Sequence, residues 1–409
     1  MATRASGSRL FSSGEPVKPM RIAMVGNGAT VHALVRGAAI ASLGHAVRLV
    51  TLGPVLPVPG IEVRTRPLPR TALEGFAAFR TFVRDLHEFQ PDLLHVHYAG
   101  GRLGSLALAS GIKPLVVTVM GGDVQPEQLM GRAGALDHRT TRRLLQEADL
   151  LLAKSQALVT EIRRYGDYAG KTEVVRWGID VARFEAKPDA GTAMRLELGL
   201  GEGPLLLSPR ILRPLYNIHL IVEAMPEILR QRPDVTLLIS RHREDVDYAT
   251  KLRQRVSELG IEGSVRFIEP VAYDDMPGLL AATSVVVSVP FSDGLPQTLF
   301  ECLAAGTPIV LGRLDAYGEM VEHEREVLLA KLDAPSIAEA VSRILNEAGL
   351  APRLREAGRK RIQQTASLPE EARRVEALYR GVLARGRRGS PLGPRILDAM
   401  SLAFRGGPS

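Results

Sequence analysis

The chain has 409 residues, one cysteine and a net charge of +7, and 45% of its residues are hydrophobic. This length predicts two domains. The single cysteine excludes an intramolecular disulfide framework and fits the reducing cytoplasm. No apolar run approaches the roughly 18 residues of a membrane span. The positive charge favours an anionic partner. The basic residues are scattered, and no zinc-ligand spacing or helix-turn-helix pattern is present, so we expect no nucleic acid. A phosphorylated small molecule or an anionic membrane surface is the expected partner.

The first half of the chain alternates short apolar runs with longer amphipathic ones. Residues 1–19 precede it and lack the apolar core of a secretion signal, so we interpret them as a disordered lead-in and not as a targeting segment. The apolar runs are typical of strands and lie at 21–25, 46–52, 92–97, 114–119, 149–153 and 173–177. The segments between them show helical spacing, as in residues 73–89.

A loose stretch rich in Gly, Ala and Pro, residues 185–204, separates this half from a second one of the same kind. The apolar runs of the second half lie at 204–208, 234–240, 264–269, 284–289, 307–312 and 327–330. Alternating strands and helices predict parallel sheets that are covered by helices on both faces. We therefore predict an α/β fold of two doubly wound, Rossmann-like domains, at residues 20–185 and 200–370, which face each other across a cleft.

The end of the chain is predicted to be helical from about Pro335 to Arg385. A strongly amphipathic helix within residues 371–387 could pack back on the first domain. Residues 388–409 form a basic tail with one short apolar piece, 396–404. That piece could be a membrane-surface helix, a packed terminal turn or a disordered segment, so the only membrane contact we expect is peripheral, at the inner face.

Ligands of open parallel sheets bind outside the carboxyl ends of the strands, and this selects the loops that follow the apolar runs. In the first domain these loops contain closely spaced glycines, which let a ligand approach the backbone. The candidate ligand-binding residues in these loops are Gly26, Gly28, His97, Gly122 and Asp123. His97 could equally be a satisfied histidine at a strand end. The Gly-Asn-Gly turn lacks the third glycine and the acid of the dinucleotide fingerprint, so a hydride-transfer enzyme is poorly supported.

In the second domain the loop at 291–297 leads into a helix that begins near Gln297. The free backbone N–H groups and positive dipole end of this helix could bind a diphosphate. Asp293 and Glu301 are separated by roughly 12 Å at the rise of a helix, and carboxylates accept strong hydrogen bonds from vicinal hydroxyls. A nucleoside diphosphate sugar thus fits along the helix, with its hexose by Asp293 and its ribose by Glu301. The further donor-binding candidates are Gly294, Leu295, Pro296, Gln297 and Thr298.

Each of these acids also has a simpler interpretation. Asp293 could be a helix N-cap, and Glu301 could be a solvated surface charge. Asp245 and Asp247 form an acid-any-acid pattern that binds metals in other proteins, but they lie in a charged run typical of a solvated loop. We therefore predict no metal site.

The spacing of Asp293, seven further residues and Glu301, followed by Ala-Ala-Gly-Thr-Pro-Ile-Val, resembles the donor motif of family 4 glycosyltransferases. The resemblance extends over most of the chain, through residues 91–98, 114–124, 152–158, 174–184 and 208–224. It implies the two-domain GT-B fold and a retaining reaction, and it assigns the candidate ligand-binding residues of the first domain to the acceptor side.

The segment that corresponds to the diphosphate-binding segment of the family departs from the usual pattern. Arg210 matches the family's Arg, but Tyr216 stands near the position of its Lys. The resemblance therefore leaves Arg213 as the candidate for a second positive charge.

Other departures concern the sugar and the base. Asp293 replaces the usual Glu and shortens the reach of the carboxylate. Met120 stands where many relatives have a His, and residues 240–242 replace a Gly-rich turn. These changes affect the acceptor side and the choice of donor.

The resemblance implies transfer of a hexose from a nucleoside diphosphate sugar to a sugar or lipid-linked acceptor, in polysaccharide or glycoconjugate synthesis. It also implies a front-face mechanism, no metal or other cofactor, and a UDP-sugar in preference to a GDP-sugar. One alternative is a binding or scaffold subunit that has lost catalysis, as the missing Lys and Met120 would allow. A nucleotide-dependent oxidoreductase is the other.

Overall fold

The computed structural model describes residues 18–69, 71–124, 131–185 and 189–386. The predicted basic tail, and all but the last two residues of the predicted lead-in, lie outside these ranges. The membrane-surface helix falls on the tail and stays a prediction. Within the described ranges, none of the helices has the length and apolar character needed to span a bilayer.

The first sheet contains the apolar runs predicted in the first half of the chain, and one further strand joins its edge. Its strands are β1 (Arg21–Val25), β2 (Ala46–Leu52), β3 (Glu62–Arg66), β4 (Leu93–His97), β5 (Leu115–Val119), β6 (Leu150–Ala153) and β7 (Thr172–Val174). All pair in parallel, in the order β3-β2-β1-β4-β5-β6-β7. β4, β5 and β6 are buried along their whole length, which explains their continuous apolar runs. The sequence does not predict β3, because this edge strand is largely exposed and mostly polar.

Helices cover both faces of this sheet. They are α1 (Val31–Ala41), α2 (Ala72–Glu88), α3 (Gly101–Ser110), α4 (Gly131–Glu147) and α5 (Gln156–Arg163), with a 3-10 turn at Ala169–Lys171. α2 confirms the helix predicted over residues 73–89. It begins at a capping box, in which Thr71 and Glu74 satisfy each other's backbone N–H groups.

The second sheet repeats this design with six strands. They are β8 (Leu205–Ser208), β9 (Thr236–Ser240), β10 (Val265–Ile268), β11 (Val285–Ser288), β12 (Ile309–Gly312) and β13 (Leu328–Ala330). They pair in parallel in the order β10-β9-β8-β11-β12-β13. Every strand corresponds to a predicted apolar run, and the fold class of two doubly wound domains is confirmed.

The remaining helices belong to the second half of the chain. The α-helices are α6 (Val181–Phe184), α7 (Ala190–Glu197), α8 (Ile218–Gln231), α9 (Val246–Glu258), α10 (Met276–Ala282), α11 (Gln297–Ala305), α12 (Ala334–Asn346), α13 (Leu350–Thr365) and α14 (Leu368–Ala384). The 3-10 turns are Pro214–Tyr216, Glu262–Ser264 and Asp315–Glu319.

The chain passes between the two sheets twice, and the two passages lie side by side. Ile179 in the first passage pairs with Ser367 in the second. Gly178 approaches Leu368 so closely that an added Cβ would lie 2.5 Å from its Cα. α14 then packs on α1, and it contributes Ala372, Val375, Tyr379 and Val382 to the core of the first domain. The last helix therefore joins the packing of the first domain, although it follows the second sheet in the sequence.

Candidate active site between the two sheets

The strand order reverses once in each sheet, and these two points locate the candidate site. In the first sheet the reversal lies between β1 and β4, and in the second between β8 and β11. Connections on either side of such a point diverge, which leaves a crevice at the carboxyl ends of the strands. Gly26 and His97 lie at the first crevice, and Ser208 and Ser288 lie at the second.

The two carboxyl edges approach each other across the cleft. Glu319 of the second domain accepts hydrogen bonds from the backbone N–H groups of Gln156 and Ala157, at 2.8 and 2.9 Å, and thereby caps α5 of the first. Leu158 lies close to Gly294, where an added Cβ would meet the leucine side chain at 3.3 Å. The loops of the two domains thus form one cleft.

The loop before α11 has an unusual backbone. Leu295 is fully buried and has a φ of 63°, in the left-handed region that a leucine rarely adopts. Pro296 is the N-cap of α11 and offers no side-chain hydrogen bond to the helix. The first backbone N–H groups of α11 are therefore not capped by the residue that precedes them, which keeps the end of the helix available for an anion.

Arg210 and Asp293 form an ion pair beside this helix end, and their side chains are only 12% and 9% exposed. Their charged atoms are 2.7 Å apart. Asp293 also accepts from the N–H of Gly294 at 2.8 Å and from the hydroxyl of Tyr317 at 3.4 Å. Burial acts to lower the pKa of the Arg210 guanidinium, but the charge of Asp293 and the neighbouring tyrosines Tyr216 and Tyr317 outweigh it and raise that pKa. Arg210 therefore stays charged, and the guanidinium lies over the ring of Tyr216 at 4.6 Å.

Several buried polar atoms at this crevice have no hydrogen-bond partner among the residues that the structure describes. They are Ser208 Oγ, Arg210 Nη1, Ser288 Oγ and Gln297 Oε1. Buried polar groups are nearly always paired, so unpaired ones at a single crevice indicate a place for a polar ligand. Gln297 is among the predicted donor-binding residues, whereas Ser208 and Ser288 are not.

Glu301 is buried inside α11 and makes no hydrogen bond or ion pair with the described residues. Burial raises the pKa of its carboxyl to about 7, and the charges of Arg210 and Arg183 lower it by less. Burial raises the pKa of the Tyr273 phenol to about 12, and the charge of Glu301 raises it further. Arg183 stacks on the Tyr273 ring at 4.5 Å. The alternative of a solvated surface charge is wrong, because this carboxyl is almost fully enclosed.

The other predicted donor residues differ in exposure. Thr298 lies in the first turn of α11 and is half-buried. Arg213 is exposed at the start of the 3-10 turn and makes no ion pair with the described residues. Asp245 caps α9 by accepting from the N–H of Tyr248 at 3.0 Å. Within the described residues, no cluster of three or more His, Cys, Asp or Glu side chains is placed to hold a metal ion.

On the first-domain side, His97 is buried at the end of β4, and neither of its ring nitrogens has a partner among the described residues. Its ring lies 4.3 Å from that of His95, which is itself held by Tyr379 at 2.5 Å and Thr118 at 2.7 Å. Burial, together with the neighbouring His95, Arg36 and His32, lowers the pKa of His97 well below its usual range. His97 is therefore neutral, and its unpaired nitrogens distinguish it from a satisfied core histidine.

Asp123 faces inward. Its carboxylate accepts from the N–H groups of Ala99, Met120 and Gly121 at 2.7–3.2 Å, and it is fully buried. The side chain thus joins the loops after β4 and β5. Gly122 is half-buried beside it.

The glycines after β1 are required by close packing. A Cβ at Gly26 would lie 2.8 Å from the Cβ of Ala33 and 3.2 Å from that of His97. A Cβ at Gly28 would lie 3.0 Å from Thr51 and from Val55. These glycines let α1 start close to the sheet. The side chain of Met120 packs against the apolar cluster of the second domain.

Sequence reasoning missed a group of charged and aromatic side chains in the first domain. Trp177 is buried, and it has Arg36 at 3.9 Å, Lys154 at 4.7 Å and the ring of His32 at 5.0 Å. One sequence signal was available, because Lys154 directly follows the apolar run of β6. A lysine at the carboxyl end of a buried strand points towards the region where ligands bind.

Comparison with known families covers most of the chain. Residues 26–183 match the family model described as Glycosyltransferase Family 4, and residues 194–361 match that of Glycosyl transferases group 1. The chain belongs to family 4 of the glycosyltransferases. The division between the two matches falls at the predicted loose stretch. Neither matched model describes an oxidoreductase.

Two curated relatives illustrate the similarity. A D-inositol 3-phosphate glycosyltransferase of Salinispora arenicola is 28% identical over 66% of this chain and 64% of its own length. A GDP-mannose-dependent alpha-(1-6)-phosphatidylinositol monomannoside mannosyltransferase of Mycolicibacterium smegmatis is 27% identical over 63% of this chain and 67% of its own length. The aligned part thus leaves about a third of each relative unmatched.

Among solved structures, Anabaena HepE in complex with UDP and glucose is similar with a TM-score of 0.73. The alignment has 19% identity and covers 88% of this chain and 99% of that one. At this identity the likeness concerns the fold, and the predicted GT-B architecture is confirmed.

Proposed function

We propose that this family 4 glycosyltransferase moves a hexose from a nucleoside diphosphate sugar to an acceptor hydroxyl, with retention of the anomeric configuration. The observation that carries the proposal is the set of unpartnered buried polar atoms beside the open N-terminus of α11, at the strand-order reversal of the second sheet. A ligand with a phosphate, hydroxyls and a base would satisfy these groups.

The donor lies along α11 in this proposal. Its diphosphate meets the N–H groups at the start of the helix and the unpaired Nη1 of Arg210. Its ribose lies by Glu301, whose enclosed carboxyl has no partner in the described part of the chain. Its hexose lies by Asp293, which is held in position by Arg210 and Gly294.

In the reaction that we propose, the bond between the anomeric carbon and the β-phosphate oxygen breaks while the acceptor oxygen bonds to the same face of that carbon. The proton of the acceptor hydroxyl passes to the departing phosphate oxygen, so no separate base is required. Arg210 and the dipole of α11 stabilise the negative charge that develops on the leaving diphosphate. This arrangement requires no metal ion.

The acceptor is placed on the first-domain side, between the loops after β1, β4 and β5. His97 offers one ring nitrogen as an acceptor and one N–H as a donor, because the ring is neutral and unpaired. A sugar or lipid-linked hydroxyl fits this polar, uncharged contact. The Salinispora and Mycolicibacterium relatives are named for inositol-containing acceptors, which belong to this chemical class.

Thermal stability in the presence of nucleotides tests the donor. A ligand that binds only the native state raises the melting temperature, so UDP and UDP-sugars should raise it more than GDP or GDP-sugars at equal concentration. HepE solved with UDP supports this order, whereas the Mycolicibacterium relative is named as GDP-mannose-dependent. A larger shift with GDP would reverse the donor preference, and no shift with any nucleotide would contradict the proposed function.

Turnover tests the enzyme against the scaffold alternative. Purified protein with the donor that gives the largest shift, and with a panel of sugar and lipid-linked acceptors, should release nucleoside diphosphate and form a glycoside. Nuclear magnetic resonance of the product then gives the anomeric configuration. Binding without turnover would favour the scaffold subunit, and inversion would refute the retaining mechanism.

A further inference from the structure

Lys154 lies at the carboxyl end of β6 in the first domain, and its side chain is only 7% exposed. Its ammonium makes no ion pair and no hydrogen bond with the residues that the structure describes. The ammonium lies 4.7 Å from the centre of the Trp177 ring, which fixes its direction. A cation over an aromatic ring gains less free energy than the removal of an ion from water costs, so this contact alone does not compensate for the burial of the ammonium.

The surroundings of Lys154 show which region its charge faces. Burial lowers the pKa of the ammonium to about 8, the charge of Asp293 opposes this most strongly, and Arg210 and Arg36 lower the pKa further. Lys154 lies just before α5, whose first N–H groups are bound by Glu319 of the second domain, and Leu158 of the same helix lies close to Gly294. Lys154 therefore lies on the edge of the first domain that faces the loop before α11. At neutral pH the lysine is mainly protonated.

The charges at this point do not balance without a ligand. Asp293 is paired with Arg210, and Arg36 is paired with Glu371 at 2.8 Å. Asp123, a further nearby acid, is satisfied by backbone N–H groups. Among the described residues, Lys154 is therefore a positive charge without an acidic partner, on the edge of the first domain that faces the loop at the start of α11. A diphosphate is the anion expected at that helix end.

We propose that Lys154 contacts the diphosphate of the donor from the first domain and supplies the positive charge that the second domain lacks at Tyr216. This inference rests on the proposed function, because it assigns a residue to the same donor site. Tyr216 stacks on Arg210 and cannot carry a charge to the phosphates. Arg213, the candidate from the sequence, is exposed, whereas Lys154 is enclosed at the cleft.

A contact between Lys154 and the diphosphate would link donor binding to movement of the two domains. Arg210 belongs to the second domain and Lys154 to the first, so a diphosphate that contacts both cations joins the domains. Donor binding and closure of the cleft are then coupled. The capping of α5 by Glu319 shows that the two edges already make direct contact in this arrangement.

Calorimetric titration of UDP tests the assignment in the full-length protein. Lys154→Met keeps the length of the side chain and removes its charge, and we expect UDP to bind about ten- to hundredfold more weakly. Uridine, which lacks the phosphates, should bind both proteins equally. Lys154→Arg should retain UDP affinity within a few-fold. Lys360→Met, on the exposed face of α13, changes the net charge equally and should leave UDP affinity unchanged.

A second readout separates a phosphate contact from a structural role. Small-angle scattering should show that UDP compacts the wild-type protein more than Lys154→Met at saturating UDP. If Lys154→Met fails to fold, Lys154→Gln serves the same purpose, and its melting temperature serves as the control for folding.

The outcomes are distinguishable. Wild-type protein that binds no nucleoside diphosphate would contradict the proposed function itself. Wild-type protein that binds UDP, with Lys154→Met binding it equally well, would leave the proposed function intact and overturn the assignment of Lys154. Equal weakening of UDP and uridine would also overturn it, because a phosphate contact cannot affect the nucleoside alone. Loss of UDP affinity in Arg213→Ala but not in Lys154→Met would return the second charge to the second domain.

Discussion

Replacing Glu301 with glutamine removes a carboxyl whose ionisation opposes folding and, in the proposed complex, favours donor binding. Burial raises the pKa of Glu301 to about 7 from an ordinary 4.5. A displacement of this size corresponds to about 3 kcal/mol between the protonated and ionised states. The two effects of the substitution therefore have opposite signs and can be measured separately.

The direction of the stability effect follows from proton binding. Below the ordinary pKa of 4.5, the carboxyl is protonated in both the folded and the unfolded protein, and it has no effect. As the pH rises towards 7, the unfolded chain releases the proton while the folded protein retains it, so the free energy of unfolding falls. Above that range the loss is complete. Glutamine does not titrate and avoids this loss.

Denaturant unfolding of the wild type and of Glu301→Gln, without ligand, measures the effect. The difference in unfolding free energy between the two proteins should favour Glu301→Gln by about 2 kcal/mol more at about pH 8 than at about pH 5. Comparing the two pH values cancels any constant effect of the amide on packing. A difference that does not change with pH would refute the reasoning, because it would mean that the carboxyl ionises normally.

Donor binding should respond in the opposite sense. Ribose hydroxyls hydrogen-bond the ionised carboxylate, so UDP affinity of the wild type should weaken as the pH falls below about 7. At about pH 8, Glu301→Gln should lose about ten- to hundredfold in UDP affinity, as expected for one charge-assisted contact. Calorimetry with UDP measures both. A more stable variant that binds UDP normally would place the ribose elsewhere.

Three further predictions concern the Arg210–Asp293 ion pair, the loops after β4 and β5, and the need for a metal ion. Arg210→Ala leaves the enclosed Asp293 carboxylate without its partner and should lower the unfolding free energy by about 3–5 kcal/mol. Adding Asp293→Asn to this variant should recover part of the loss. Unchanged unfolding in denaturant would show that the pair is solvated. Asp123→Asn replaces one acceptor oxygen by a donor and should lower the free energy of unfolding by about 1–3 kcal/mol, with faster amide exchange at Gly121. Unchanged exchange would contradict the role of Asp123 in joining the loops after β4 and β5. Glycosyl transfer should survive a chelator, and a loss that magnesium or manganese restores would disprove metal independence.

Much of the fold could be predicted because buried parallel strands are continuous apolar runs. β4, β5 and β6 are enclosed on both faces, so nearly every residue in them is apolar and the pattern is visible without any partner. β3 shows the limit of this reasoning. It lies at the edge of the sheet, its side chains are mainly exposed, and its sequence carries no apolar run.

The predicted donor-binding residues at the start of α11 could be identified from the sequence for a related reason. Asp293, Glu301 and the start of α11 lie within one strand–loop–helix unit, where the spacing along the chain fixes the geometry. Their positions relative to the helix therefore follow from local structure. Their environment does not, because the burial that raises the pKa of Glu301 depends on how the rest of the domain packs around α11.

The sequence by itself thus determined the two doubly wound domains and the strand ends at which ligands bind, because both depend on periodicity and local order. Only the tertiary structure decided that Arg210 pairs with Asp293, since β8 and β11 become neighbours through the strand order of the sheet. It also decided that Asp123 joins two loops and that Lys154 is buried over the ring of Trp177. These contacts form between segments that are distant along the chain, so the direction and burial of each side chain depend on packing that no local pattern encodes.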